Sequence, residues 1–271
     1  MNIVIYTDIN YEYQVKNFMI SLDYAGIKEY KILYYTIEFE SLINDSRVTL
    51  VPWNKRNDIN RFEYYKPAIC IDSLKYFGKE DILFFDSDVM LSKKIVRMDL
   101  YKDITHPIFC MGPLEYPYTT WTDHNGQIAF NEIKLMNYLG VKERTMGYIM
   151  SCFFHYNHNC LDFLEEWDSF CNNKYLLKDK QSIFPFSDET IANVLLWKKG
   201  FTQNYGRGFI NTHKFTTFKT CEESDSILNQ RIDDNMYEQC DDSSRIYFYH
   251  GMKIQEENEK IINYIKSVIC K

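Results

Sequence analysis

The chain has 271 residues, 45% of them hydrophobic, and its 38 acidic and 31 basic side chains give a net charge of −7. This length allows one large domain or two small ones, with a core that needs no disulfide staples. The composition excludes collagen, coiled coil and wholesale disorder, and the acidic balance predicts no nucleic-acid partner.

Strands and helices alternate in the first part of the chain. A short apolar strand is predicted at Asn2–Thr7, and a helix near Tyr11–Ala25 follows and ends at Gly26. Further strands are predicted at Lys31–Tyr35, Val48–Val51, Ile82–Phe85 and Ile108–Met111, and a helix at Glu63–Phe77. This alternation predicts an α/β fold with a largely parallel sheet.

The second part of the chain is more mixed. Strands are predicted at Ile149–Tyr156 and Tyr247–Tyr249, and helices at His158–Cys171, Asp188–Lys199 and Ile254–Ile269. The last helix is amphipathic, and its polar face of mixed charge favours docking on the protein over binding a membrane surface. Because no repeat or Gly/Ser/Pro-rich linker interrupts the chain, we expect one domain with a large inserted region.

The N-terminus and the cysteines predict a cytoplasmic location. The apolar run that follows Met1 is too short for a signal peptide and has no basic leader. No window of about 18 apolar residues is present, so we expect no transmembrane segment. The eight cysteines form no CxxC pair, which is typical of thiols in a reducing compartment.

Two acidic residues follow the predicted strand Ile82–Phe85 directly, in the segment Asp86-Ser87-Asp88. Ligands of α/β proteins collect beyond the carboxyl ends of the strands. Two carboxylates so close together repel each other unless a cation lies between them, and Mg²⁺ and Mn²⁺ take oxygen ligands and bridge to phosphates. The segment indicates a metal–diphosphate site, although a solvated turn with two ordinary acids remains an alternative.

The order and separation of several segments resemble those of GT-A fold glycosyltransferases. The closer resemblance is to family 8, which includes glycogenin and bacterial lipooligosaccharide galactosyltransferases. Segment 3–11 is similar to that family's first strand and nucleotide loop, and Phe84–Val89 is similar to its DxD segment. The resemblance implies a Rossmann-like, mixed and mostly parallel sheet flanked by helices. It implies a single domain over 1–271, with a nucleotide-binding half at 1–112, a donor-sugar and acceptor half at 113–253 and the C-terminal amphipathic helix at 254–271.

The same resemblance implies two sets of binding residues. A divalent cation, Mn²⁺ or Mg²⁺, would be held by Asp86, Asp88 and His250, although a lone histidine is also common in a protein core. The nucleotide-sugar donor would be bound by Thr7, Asp8, Asn10, Tyr11, Lys66, Ser87, Gly251 and Lys253.

Asp188 and Glu189 fall where the family has an acidic pair beside the reacting sugar. We therefore expect them to be the catalytic carboxylates, acting as a base or as electrostatic partners of an oxocarbenium-like centre. Acids at a helix N-terminus are also common for dipole reasons alone, and Ser187 is a suitable N-cap. The sequence Met150-Ser151-Cys152 departs from the family's Asn-Ser/Ala-Gly element, so the donor-sugar contacts of that strand are not carried over.

The expected reaction is the metal-dependent transfer of a hexosyl group from a nucleotide sugar to a sugar or other hydroxyl acceptor. The resemblance implies a UDP-sugar donor and retention at the anomeric carbon; inversion, with Asp188 or Glu189 as general base, stays open. A sugar nucleotidyltransferase is an alternative, but Thr7–Tyr11 lacks the glycines of a phosphate loop. A non-catalytic carbohydrate-binding protein on the same fold is the other.

Two further segments have more than one interpretation. The aromatic and polar stretch Tyr116–His124 suits an acceptor-sugar platform or a packed surface. The acidic segment 222–242 holds eight acids and one base, and it suits a lid, an acceptor-side loop or a solvated surface excursion.

Overall fold

The computed structural model describes residues 1–55, 62–91, 100–111, 121–122, 128–130, 132–172, 187–203, 209–211, 248–250 and 263. These residues belong to two compact units. The first unit draws on Met1–Trp53, Phe85–Leu100 and Tyr205–Lys271, and the second on Asn54–Phe84 and Tyr101–Asn204. The predicted C-terminal helix, apart from residue 263, lies outside the described residues, as do most of Tyr116–His124 and the acidic segment 222–242.

Three parallel strands form the centre of the first unit. They are β1 (Asn2–Thr7), β2 (Lys31–Ile37) and β3 (Val48–Trp53), in the order β3-β2-β1. β1 and β2 are buried over almost their whole length because they consist mostly of Ile, Val, Leu and Tyr. A 3-10 helix (Ile9–Tyr11) and α1 (Glu12–Tyr24) follow β1 directly. Parallel pairing places the carboxyl ends of these strands at one edge.

The first unit also holds a small sheet made of chain segments that are far apart in sequence. Its strands are β5 (Met90–Leu91), β10 (Phe209–Asn211) and β11 (Phe248–His250). β11 lies in the middle, parallel to β10 and antiparallel to β5. The small sheet therefore anchors the stretch that follows Asp86-Ser87-Asp88 to the C-terminal part of the chain.

The second unit contains strands and helices in a different arrangement. β9 (Ile149–Tyr156) lies between β4 (Ile82–Phe85) and β6 (Ile108–Met111), and β6 is antiparallel to β9. Its helices are α2 (Lys66–Phe77), α3 (Glu132–Leu139), α4 (Leu161–Cys171) and α5 (Asp188–Lys199). α4 packs against both α2 and α5, and α5 also contacts α3 and β9. The unit also has a short antiparallel pair, β7 (Trp121–Thr122) and β8 (Ile128–Phe130), and two 3-10 helices, Phe62–Tyr65 and His158–Cys160.

Aromatic rings fill the interior of the second unit. Phe154 on β9 stacks on Phe84 at a centroid distance of 4.7 Å and contacts Phe109 and Trp167 at 4.8 and 5.8 Å. Offset and edge-to-face ring pairs add to the free energy of burying so much apolar area. Tyr64, Tyr65 and Tyr156 of this unit are also fully buried, as are Tyr34 and Tyr35 on β2 of the first unit, so part of the high tyrosine content serves packing.

The α/β class with parallel and antiparallel strands is confirmed. β1, β4, β6, β9 and α5 begin and end where the sequence predicts. The predicted helix Glu63–Phe77 is divided into a 3-10 turn (Phe62–Tyr65) and α2, because Pro67 lies in the first turn of the α-helix. β11 lies one residue later than the prediction. Helix α3 and the short strands β5, β7, β8 and β10 were not predicted.

Within the described residues, no helix has the length and apolar character needed to cross a membrane.

Candidate active site

The turn after β1 contains four of the residues predicted to bind the nucleotide sugar. Thr7 is fully buried, and its hydroxyl lies 2.5 Å from the hydroxyl of Tyr34 on β2. The Asp8 carboxylate accepts a hydrogen bond from the Asn10 backbone N–H at 2.8 Å and so caps the 3-10 helix. The side chains of Asn10 and Tyr11 are exposed. An amide and an aromatic ring therefore stand at the carboxyl end of a parallel strand, where α/β proteins bind ligands.

The acidic turn, Asp86-Ser87-Asp88, begins where the buried strand β4 ends. It is closed by a hydrogen bond of 3.2 Å from the Val89 N–H to the Asp86 carbonyl oxygen. The Ser87 hydroxyl donates to the Gln14 side-chain oxygen on α1 at 2.9 Å. Asp88 is buried and Asp86 is half-buried. The acidic turn is thus tied to the helix that starts directly after Tyr11.

His250 lies beside the acidic turn in the strand register. β11 pairs with β5 through Phe248 with Leu91 and Tyr249 with Met90. Continuing this register by one residue places the backbone of His250 opposite Val89, next to Asp88. The sequence-distant members of the predicted metal site therefore belong to the same unit: Asp86 and Asp88 lie in the turn before β5, and His250 lies on β11, the strand paired with β5. Gly251 and Lys253 lie outside the described residues.

The donor set of Asp86, Asp88 and His250 fits a divalent cation by its chemistry. Carboxylate oxygens and imidazole are ligands that suit Mn²⁺, and the oxygens also suit Mg²⁺. Among the residues that the structure describes, no cluster of three His, Cys, Asp or Glu side chains forms a complete ligand set. The side chain of His250 is not among those described, so the three-residue metal site stays a prediction.

A buried polar cluster in the second unit brings together Lys66, Asp188, Glu189 and Ser151. The Lys66 ammonium lies 3.0 Å from an Asp188 carboxylate oxygen and donates to the Ser151 hydroxyl and carbonyl oxygens, each at 3.0 Å. The Ser151 hydroxyl donates to Asp188 at 3.0 Å, and its backbone N–H donates to Glu189 at 2.9 Å. The three residues that the sequence singles out in this unit are therefore in one hydrogen-bonded cluster.

Local sequence explains why the two carboxylates are where they are. The Ser187 hydroxyl accepts from the Thr190 N–H at 3.0 Å and caps α5, so Asp188 and Glu189 occupy its first turn. The Trp167 indole N–H donates to the Asp188 carbonyl oxygen at 2.9 Å and fixes that turn to α4. Asn193, one turn further on, binds both the N–H and the carbonyl oxygen of Ile149 on β9.

Glu189 has an altered acidity in this cluster. Burial raises the pKa of its carboxyl to about 7, and the negative charge of Asp188 acts in the same direction. The Ser151 N–H, the Lys66 charge and the Tyr148 hydroxyl partly oppose this rise in pKa. A carboxyl group that titrates near neutrality can both donate and accept a proton, which is the property required of a general acid–base group.

The sequence did not identify Ser151, Tyr148 or Asn193 as site residues. Their common signal is a polar side chain in or beside an apolar stretch that is buried on both faces. Ser151 interrupts the run Ile149–Phe154, and Asn193 lies within Ile191–Leu196 on α5. A buried polar group needs a hydrogen-bonding partner. A polar residue within an apolar run of the sequence is therefore a candidate site residue even where no motif includes it.

The fold is of the GT-A glycosyltransferase type. It is similar to solved structures of a galactosyltransferase, LgtC, over nearly the full length of both chains. One is a crystal structure of LgtC in complex with donor and acceptor sugar analogues: identity is 13%, the TM-score is 0.57, and the match covers 100% of this chain and 95% of that one. Another is an active-site mutant of LgtC, with 14% identity, a TM-score of 0.56 and coverage of 99% and 96%.

No family model matches the sequence. No curated protein matches it either. At 13–14% identity, the likeness to LgtC establishes the fold, and the resemblance to the GT-A fold that the motifs suggested is confirmed at that level.

Proposed function

We propose that this protein is a metal-dependent glycosyltransferase that moves a hexosyl group from a nucleotide sugar to a hydroxyl of a sugar or other acceptor. We further propose a UDP-sugar donor and retention at the anomeric carbon. The observation that carries the proposal is the acidic turn at the end of β4, followed by β5, which pairs with the strand that ends in His250, on a fold shared with a galactosyltransferase. LgtC has been crystallised with donor and acceptor sugar analogues, which supports the same two kinds of ligand here.

Asp86, Asp88 and His250 would hold the cation, Mn²⁺ or Mg²⁺. When bound, the cation supplies positive charge to the diphosphate that leaves the sugar. Asp8, Asn10 and Tyr11 would bind the nucleoside, since an amide and an aromatic ring suit hydrogen bonding to and stacking on a base. Ser87, hydrogen-bonded to Gln14 on α1 at 2.9 Å, would hold the acidic turn in a fixed position relative to this nucleoside site.

Glu189 and Asp188 would act on the sugar. Asp188 is paired with Lys66 at 3.0 Å, so its charge is held in place and stabilises positive charge that develops at the anomeric carbon. Glu189, whose pKa is raised to about 7, would exchange a proton with the acceptor hydroxyl or the leaving group. The two adjacent carboxyl groups would thus have different roles: Asp188 would stabilise positive charge, and Glu189 would transfer a proton.

The test is a panel of nucleotide sugars with and without Mn²⁺. We expect the wild type to hydrolyse one of the UDP-sugars, or to transfer its sugar to an acceptor, and to do so only when Mn²⁺ is present. Asp88→Asn, which keeps the size of the side chain, should lower this turnover at least about 100-fold because a metal ligand is lost. Asp162→Asn, at an exposed position on α4, is the matched control and should have wild-type turnover.

The outcomes separate the competing functions. No turnover and no thermal shift with UDP, GDP, CDP or ADP would favour a non-catalytic carbohydrate-binding protein. Formation of a nucleotide sugar from a sugar phosphate would favour a nucleotidyltransferase. The anomeric configuration of the first-formed product, measured by ¹H NMR, decides between retention and inversion.

We also propose that the enzyme works in the cytoplasm. The buried Cys110 and Cys152 sulfur atoms are 3.9 Å apart, which is a hydrogen-bonding distance for thiols and much longer than an S–S bond. Such a pair of neighbouring thiols, together with the lack of any CxxC pair in the sequence, is typical of a reducing compartment. Alkylation of freshly lysed cells followed by mass spectrometry should find these thiols reduced.

A further inference from the structure

Ser151 is the common partner of the charged side chains in the second unit's cluster. It lies on β9, whose eight residues are all buried, and only 3% of its own surface is exposed. Neither a helix cap nor a turn requires a serine here. A serine in the middle of a buried strand is therefore explained by what it binds.

The contacts of Ser151 join residues from two helices. Its hydroxyl lies 3.0 Å from the Lys66 ammonium on α2 and 3.0 Å from the Asp188 carboxylate on α5, and 3.5 Å from Glu189. Its carbonyl oxygen accepts a second bond from Lys66, and its N–H donates to Glu189. A hydroxyl can accept from an ammonium and donate to a carboxylate at the same time, so Ser151 satisfies both members of the ion pair.

Removal of the hydroxyl would leave the cluster incomplete. Lys66 and Asp188 are both buried, and a buried charged group that loses a hydrogen-bonding partner is strongly driven to move toward another. Glu189 would keep the backbone N–H of Ser151 but would face a displaced Asp188 and Lys66. The groups that face Glu189 are the Asp188 carboxylate, the Lys66 ammonium, the Tyr148 hydroxyl and the backbone of Ser151.

We propose that Ser151 is a positioning residue of the reaction, which holds Asp188, Glu189 and Lys66 in one fixed arrangement through its hydroxyl and its backbone. This inference rests on the proposed function, in which Asp188 and Glu189 act on the sugar. Ser151 acts through these side chains. Small displacements of catalytic groups strongly affect the rate of a chemical step, so the hydroxyl controls turnover more than substrate affinity.

The experiment compares Ser151→Ala with Ser73→Ala. Ser73 is also fully buried in the second unit, and its hydroxyl makes two hydrogen bonds, to the Cys70 carbonyl oxygen at 2.7 Å and to the Tyr156 hydroxyl at 2.6 Å. It is a matched control for the loss of a buried hydroxyl without contact to the carboxylates. The first measurement is the ¹³C NMR titration of the Glu189 carboxyl group, assigned by its loss in Glu189→Gln.

We expect Ser151→Ala to raise the midpoint of this titration by about half a pH unit or more, because it loses a donor and loosens Lys66. With the sugar donor, kcat should fall about 10- to 100-fold while KM changes less than about threefold. The pH profile of kcat should move with the NMR titration. Ser73→Ala should leave the Glu189 titration and its pH profile unchanged.

Equal titrations in Ser151→Ala and Ser73→Ala would overturn the positioning role. If Ser151→Ala does not fold, Ser151→Cys keeps the volume but hydrogen-bonds weakly, and it should change the titration and kcat in the same direction by a smaller amount. A wild type that uses no nucleotide sugar would refute the proposed function instead, and the NMR titration would still decide whether Ser151 organises the cluster.

Discussion

The Lys66 ammonium and the Asp188 carboxylate lie 3.0 Å apart, with 3% and 6% of their side chains exposed. Lys66 starts α2 and Asp188 starts α5, so one ion pair joins the first turns of two helices. The ammonium also lies 5.2 Å from the centre of the Phe84 ring, within range of a cation–π interaction. Burial makes the two charges strongly dependent on each other, because neither has bulk water to replace a lost partner.

Loss of Lys66 should therefore destabilise the protein severely. We expect Lys66→Met to lower the free energy of unfolding by about 3–5 kcal/mol, because it leaves Asp188 buried without its counter-charge. Urea denaturation followed by circular dichroism measures this change. Lys198→Met removes the more exposed pair with Glu166, of 3.0 Å, and should cost about 1 kcal/mol or less. Equal losses for the two variants would refute a special role for the buried pair.

The raised pKa of Glu189 makes stability depend on pH in a defined direction. In the unfolded chain the carboxyl has its ordinary value of 4.5, and in the folded protein the pKa is about 7. The folded state therefore binds the Glu189 proton more tightly than the unfolded chain does. The contribution of this proton to the free energy of unfolding is fully present below pH 4.5 and is lost as pH rises toward 7. The full loss is about 3 kcal/mol as an upper bound.

Glu189→Gln should remove that dependence. The amide stays neutral and its oxygen can still accept from the Ser151 N–H, so the stability of the variant relative to wild type should increase between pH 4.5 and 7.5. Denaturation midpoints at five pH values measure the difference. Glu165→Gln, at an exposed position on α4, is the control. A constant difference between Glu189→Gln and wild type over this range would contradict the prediction.

His106 should have the opposite pH dependence. Its ring stacks on Phe201 at a centroid distance of 3.7 Å, and neither ring nitrogen has a hydrogen-bond partner in the described part of the chain. Burial lowers the pKa of His106 from 6.5 to about 4. The unfolded chain then binds a proton that the folded protein excludes, so stability present above pH 6.5 is lost as pH falls toward 4.

His106→Phe should stabilise the protein, and more so at acidic pH. A phenyl ring keeps the stack and removes two polar atoms that burial disfavours, which is worth about 1–3 kcal/mol at pH 7. The gain should increase by about 2–3 kcal/mol at pH 4.5. Unfolding at the two pH values, with exposed His158→Phe as control, checks the prediction. A gain that is the same at both pH values would show that His106 does not titrate in this way.

Trp167 should link the core to the carboxylates. It is fully buried, and its N–H donates to the Asp188 carbonyl oxygen at 2.9 Å. Trp167→Phe removes the indole donor from that oxygen and creates a cavity, which should cost about 2–4 kcal/mol. Turnover should also fall, since the first turn of α5 is released. Trp197→Phe is the matched control, because Trp197 is buried on α5 and its N–H has no partner among the described residues. We expect it to lose less stability and little turnover.

Local signals predicted much of the fold. The continuous apolar run Ile82–Phe85 was sufficient for β4, and Ser187, as an N-cap, marked the start of α5. The carboxyl end of β4 then identified the acidic turn. These predictions depend on neighbouring residues alone, because propensity, capping and apolar runs are local properties.

Pairing between distant segments could not be predicted in the same way. β5 has two residues and β11 has three, too few for a periodic signal, and their pairing depends on the whole unit. Ser151 lies in a segment that departs from the family's Asn-Ser/Ala-Gly element, and its contacts with Lys66 and Asp188 appear only when α2 and α5 are both placed beside β9. The sequence identified Lys66 and Asp188 separately, with different expected roles, and the ion pair between them comes from the structure.

The pairing of β5 with β11 has a consequence for the order in which the protein is made. β5 comes just after the acidic turn, whereas β11 comes after all the residues of the second unit. During translation, the ribosome completes β1 to β3 and the whole sequence of the second unit before β11 emerges. The neighbouring strand of the acidic turn is therefore synthesised only after the whole second unit, and nascent chains that stop before Phe248 lack it.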